Sequence, residues 1–126
     1  MAKPKLPPAK DWQSRTIDQW NTHTFFAYLQ HAHREELKVD YFSAKGIKID
    51  LSMIKRTFDE FGKEITKMFI DQCLKQYTSS SQYKVCTFWF MRTYMIAQVM
   101  PKVQEEYKRT QDVQVAAETN LDDMTF

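Results

Sequence analysis

The apolar residues of this chain recur at steps of three and four over most of its length, the period of helices packed on one side. Asn21 is suited to cap a first helix, with Thr16, one turn earlier, as the alternative start. Trp20 precedes that cap and Phe25 lies four residues into the helix, the arrangement of a hydrophobic staple. Phe25, Phe26, Leu29, Ala32 and Leu37 make the inner stripe, and the polar cluster His31, His33, Arg34, Glu35, Glu36 and Lys38 closes the element. Tyr41 to Lys48, with Gly46, reads as a connecting loop. The next element is expected to start at Asp50 as cap, with Ile49 and Ile54 as its staple. Leu51, Ile54, Phe58, Phe61, Ile65, Met68 and Phe69 follow at helical steps, extended by Cys73 and Tyr77. Gly62 interrupts this stripe without shifting its phase. One long helix or two, 51–61 and 63–77, would satisfy the pattern; a glycine just after Phe61 resembles a C-cap and favours two.

Thr78 to Ser81 reads as a loop, and residues 85–100 are then apolar almost all round, which predicts the central, most buried helix. Pro101 breaks or kinks that helix, or opens a final one over 101–110 with Val103 and Tyr107 inward. Together these segments predict an all-α, compact bundle of four to five helices with disordered termini. The helical domain covers residues 16–110, preceded by an extended basic arm, 1–15, and followed by a flexible acidic tail, 111–126. Nothing suggests the alternating strands and glycine turns of an OB-fold.

Composition sharpens this picture only modestly. The 126 residues suffice for one core, and aromatics at 14% against two glycines make that core large and the loops few. The excess of aromatic rings also allows for a homo-oligomer interface. No run of 18 apolar residues and no secretory leader is visible, so a cytoplasmic protein with no membrane contact is expected. Cys73 and Cys86 lie in apolar helical patterns and read as reduced, buried thiols. All 18 basic residues fall in 1–110 beside 12 of the 16 acids, leaving a body of +6 and a tail of −4.

The chain carries no phosphate loop, nucleophile elbow or zinc-ligand spacing. His31 and His33 point about 200° apart on a helix, and His23 is two turns from His31, so no shared metal is expected and all three read as surface residues. Neither catalytic residues nor cofactors are assigned, and no enzyme activity is expected. Single-stranded nucleic acid needs cations along a backbone and aromatics for base stacking. The candidate cations are Lys45, Lys48, Lys55, Arg56, Lys63, Lys67 and Arg92, with Trp89, Tyr41, Phe42 and Tyr83 as platforms. Asp59, Glu60 and Glu64 interleave the middle group, so a salt-bridged solvated face is the competing reading. Arg92, the one charge between Val85 and Met100, must pair with a carboxylate such as Asp71 or Asp59, or line a phosphate groove.

The terminus is the most specific feature: Asp122-Asp123-Met124-Thr125-Phe126, a sparse acidic stretch ending on an aromatic ring that carries the terminal carboxylate. It resembles the C-terminal peptide of bacterial single-stranded-DNA-binding proteins, with Asp122, Asp123 and Phe126 on the pattern and Thr125 where that family has proline. The body more broadly resembles small helical replication proteins of bacteriophages, through its Trp-led first helix, Ile54, Lys55, Asp59 and Gly62, and an aromatic-rich helix ending before Pro101. The resemblance implies a DNA replication or repair accessory protein that binds single-stranded DNA and recruits replication proteins such as helicase or primase. Phe126 would be the anchor, with Asp122 and Asp123 as electrostatic guides. A helicase loader or protein-binding adaptor, or a small inhibitor occupying a host docking pocket, fits the same features.

Overall fold

The computed structural model describes residues 7–77 and 85–123, with side chains up to Gln114. It is all-α: among the described residues there is no strand, and the helices pack as one bundle around a single core. None of those helices is long and apolar enough to cross a membrane.

Helix α1, Thr22–Leu37, starts where its cap dictates. The Asn21 Oδ1 accepts the Thr24 N–H at 3.0 Å, and the Asn21 N–H donates to Thr24 Oγ1 at 3.3 Å, satisfying two groups that the first turn leaves unpaired. Trp20 meets Phe25 edge to face, ring centroids 5.0 Å apart, so the staple forms as well. Thr24, Phe25, Tyr28, Leu29, Ala32 and His33 form the buried face. Lys38 ends the helix in the left-handed region at φ 61°, its N–H donating to the Arg34 carbonyl.

Helix α2, Ile47–Phe61, begins earlier than expected. Asp50 does not cap it: the residue lies in the first turn, fully buried, with Oδ2 accepting the Tyr41 hydroxyl at 2.7 Å. Ile49, freed from the staple, is 45% exposed. Gly62 divides α2 from α3, Lys63–Gln76, at φ 93° and ψ 158°, a region that side-chain-bearing residues avoid. The preference for two helices is therefore met. The shared apolar phase lets both helices face one core, in which Ile54, Phe69, Ile70, Cys73 and Leu74 are buried.

The chain re-enters the described region as an extended strap, residues 85–87, and then forms one continuous rod. The rod comprises α4 (Phe88–Phe90), a π segment (Met91–Met95) and α5 (Ile96–Asp123). Thr87 caps it, its hydroxyl accepting the Phe90 N–H at 3.0 Å. Pro101 does not break the rod. Its missing N–H leaves only the Ala97 carbonyl unpaired, and both residues are exposed, so water can serve that oxygen. Nor is this helix buried all round: Phe88, Met91, Val99, Met100 and Val103 face the core, while Thr93, Tyr94, Ala97 and Gln98 face solvent.

Both expected terminal boundaries move. At the start, the half-buried Trp12 sits in a 3-10 turn, Trp12–Ser14, against Trp20, Tyr28 and His31, at centroid distances of 6.2, 5.0 and 5.0 Å. Arg15 ties this stretch down by donating to the carbonyls of Pro7 and Gln19. At the other end α5 continues past residue 110 to Asp123, through a segment without glycine or proline that holds the helix formers Gln111, Gln114, Ala116, Ala117, Glu118 and Leu121. Asp122 and Asp123 occupy its last turn; Phe126 lies outside the described residues, as do residues 78–84 with Tyr83.

Candidate nucleic-acid interface

A buried polar network fixes where the rod begins. His33 lies fully buried on α1, contrary to the surface position expected of it. Its Nδ1 is 3.0 Å from the Val39 carbonyl and its Nε2 is 2.9 Å from the Cys86 N–H. A carbonyl can only accept and an N–H only donate, so the ring is neutral with its proton on Nδ1. Burial lowers the His33 pKa below the usual histidine value, outweighing the opposing pull of the Val39 carbonyl and Asp40. Beside it, the Phe88 N–H donates to the Tyr41 hydroxyl at 2.9 Å, and that hydroxyl donates to Asp50. Burial and the Asp50 carboxylate both raise the Tyr41 pKa. Two orphan donors at the strap and first turn are thus bonded to α1 and to the loop before α2. Cys86 itself is buried, its thiol pushed up to about 12 by desolvation; burial raises Cys73 as well.

This anchoring places Trp89, the first partly exposed ring of the rod, beside the turn that precedes α2. The Lys45 ammonium lies over the Trp89 ring at 4.7 Å from its centroid, and Tyr94 meets Trp89 edge to face at 5.6 Å. Hydrogen bonds from Ala44 N–H to the Phe42 carbonyl and from Gly46 N–H to the Ser43 carbonyl, both 3.0 Å, shape the turn. Gly46, at φ 105°, supplies the conformation that ends it. Lys48 follows, exposed, in the first turn of α2.

The remaining candidate cations divide by their partners. Lys55 pairs with Asp59 at 2.7 Å and Lys67 with Asp71 at 3.2 Å, both one helical turn away. Lys63 donates to the Asp18 carbonyl at 2.8 Å and lies over Phe58. Arg92 pairs with Glu60 at 2.9 Å and stacks over Phe61 at 5.5 Å. Asp59 and Asp71, its expected partners, are taken: Asp59 by Lys55, Asp71 by Lys67 and by the Tyr28 hydroxyl. Lys45, Lys48 and Arg56 form no ion pair among the described residues. Sequence spacing therefore named a mixed set. The fold brings Lys45 to Trp89 and engages Lys55, Lys63, Lys67 and Arg92 with other partners.

Surface cavities also open among the described residues. One, of about 300 Å³, lies at the α2–α3 junction between Phe61, Gly62, Lys63, Glu64 and Ile65 and the Tyr107 ring of α5. There a hydrogen bond to Glu64 raises the Tyr107 pKa. Another, of about 270 Å³, lies between Gln30, His31, Arg34, Asp40 and Tyr41. Among the described residues no three His, Cys, Asp or Glu side chains gather as a metal site.

Tyr94 is the ring beside Trp89 that helical spacing misses. In an α-helix, residues five apart diverge by about 140°, but i→i+5 bonding through Met91–Met95 brings Trp89 and Tyr94 onto one face. No protein-family model, curated protein or solved structure matches the chain.

Proposed function

We propose that this chain is a non-catalytic accessory protein of DNA replication or repair. Its body binds single-stranded DNA around Lys45 and Lys48, and its terminus, Asp122, Asp123 and Phe126, recruits a replication protein such as helicase or primase. The observation that carries this reading is the Lys45 ammonium over Trp89, with Lys48 exposed nearby and neither lysine in an ion pair among the described residues. A single strand needs charge for its phosphates and rings for its bases, and here Lys45 lies on a group of rings in which Tyr94 packs against Trp89. The resemblance of the terminus to the tails of single-stranded-DNA-binding proteins supports the recruiting half.

An electrophoretic titration of the full chain against a single-stranded oligonucleotide at several salt concentrations tests the reading. Binding weakens with salt, and replacing Lys45 with alanine flattens the log–log slope by about 0.7, one phosphate contact on a single strand. Removing Phe126 alone abolishes capture of the replication partner and leaves DNA affinity in place. No DNA binding at low salt, with partner capture intact, would overturn the DNA half in favour of a protein adaptor.

A further inference from the structure

Trp89 is poorly placed to receive a base. One of its faces carries Lys45, Tyr94 stands against it edge-on, and the ring is only partly exposed. In the two segments that Lys45 and Trp89 join, the rod and the turn before α2, the rings most open to solvent are Tyr94, 61% exposed, and Phe42, 67% exposed. Tyr94 is braced from behind: Trp89 lies 5.6 Å and Phe90 5.2 Å from its ring centroid. A large ring left in water, yet held in orientation by two others, binds a flat partner with little further loss of side-chain freedom. Phe42 stands three residues before Lys45 in the hydrogen-bonded turn that places that lysine.

Resting on the reading above, we propose that Tyr94 and Phe42 are the base-stacking residues of the single-strand site, with Trp89 as the pedestal that holds Lys45 ready for a phosphate. Charge selects a polyanion over a second copy of the chain, and the open flat rings suit its bases. The cations beside the rings, Lys45 and Lys48, are exposed and unpaired among the described residues. Of the nearby carboxylates, Asp50 is buried, while Asp40 is paired with Arg34 at 3.7 Å and Glu60 with Arg92 at 2.9 Å. A second copy would bring the same cations against each other, which costs binding at low salt, whereas a polyanion gains from both. The π segment has a function in this arrangement: without its extra residue per turn Tyr94 would rotate off the Trp89 face.

The experiment is fluorescence anisotropy of a labelled oligothymidylate about 15 nucleotides long, a length within the span of known single-strand sites, against the full chain and three variants. Tyr94→Ala and Phe42→Ala each weaken binding about 5- to 100-fold, the effect of losing one stacked base, with the salt slope unchanged. Tyr94→Phe, which keeps the ring and loses the hydroxyl, binds as the unaltered chain does. If the unaltered chain binds and both alanine variants bind equally well, the stacking assignment is overturned while the proposed function stands. A Tyr94→Phe loss as large as that of Tyr94→Ala overturns it too, since a hydroxyl hydrogen bond would then be responsible. If Tyr94→Ala lowers the mass measured by light scattering and leaves affinity alone, the face joins two copies and the assignment is wrong. If the unaltered chain fails to bind the oligonucleotide, the proposed function falls first and this inference with it.

Discussion

The two halves of the terminal rod are helical for different reasons. From Phe88 to Val103 the rod lies on the bundle, with Phe88, Met91, Val99 and Val103 buried and its entry held by Thr87, Tyr41 and His33. From Gln104 to Gln114 every described side chain is exposed except those of Tyr107 and Gln111, which are partly covered. The first half is helical because packing repays the ordering of residues such as Trp89 and Thr93, which are indifferent helix formers. Beyond the Tyr107 contact with Glu64, the second half has propensity and local pairs such as Glu105–Arg109, 3.4 Å apart. Stability in this molecule is therefore graded along a single helix, and Trp89 and Tyr94, the rod's share of the surface proposed for DNA, sit on the firmly held half.

Several substitutions break or sharpen that contrast. Phe69 is fully buried on α3 and meets Phe88 edge to face at 6.3 Å. Phe69→Ala should cost about 3–5 kcal/mol in denaturant unfolding. Val113, 63% exposed on the free half, should tolerate alanine with no measurable change in the same assay.

His33→Leu leaves the buried Cys86 N–H without an acceptor and should cost about 1–3 kcal/mol. The unaltered protein should show the same dependence through pH. Because the folded His33 pKa lies below the unfolded value of about 6.5, the unfolded chain binds the extra proton first as pH falls. The stability that His33 contributes is complete above that pH and declines as pH drops from there toward the folded value. His33→Gln, which offers an amide oxygen to the Cys86 N–H and does not titrate, should flatten that part of the pH profile in thermal unfolding.

Gly62 lies at the cavity under Tyr107, where the rod still touches the bundle. A Cβ at Gly62 would meet nothing within 4 Å, so Gly62→Ala should cost about 1–3 kcal/mol through backbone strain alone. Smaller than these losses, Glu105→Ala should remove a few tenths of a kcal/mol, read as faster amide exchange confined to the free half of the rod. Slow exchange at residues 105–114, matching that of the core helices, would contradict the graded picture.

What could be read from the sequence was whatever neighbouring residues decide among themselves. Asn21 as a cap, Trp20 with Phe25, and Gly62 after Phe61 are short-range devices, and each appears in the fold where it was expected. The failures are long-range. Asp50 looked like a cap because Tyr41, which draws it inward, bonds across a turn rather than within a helix. His33 looked like a surface residue because its partner Cys86 lies 53 positions away. The rod was expected to be buried all round because apolar content was counted without the neighbours to cover it. The candidate cations could be named but not sorted, since pairing depends on side-chain placement and Arg92 found Glu60 across two elements.

Cys73 and Cys86 carry a practical consequence of this burial. Both thiols are sealed in the core, Cys86 at a pKa of about 12 and Cys73 raised further, so neither presents the thiolate that alkylating reagents attack. Iodoacetamide should modify the two sites only as fast as the bundle opens, which makes the chain its own stopwatch for unfolding. Cys86 times release of the strap and Cys73 times loss of the core, so their two labelling rates read both events on unaltered protein without an added dye.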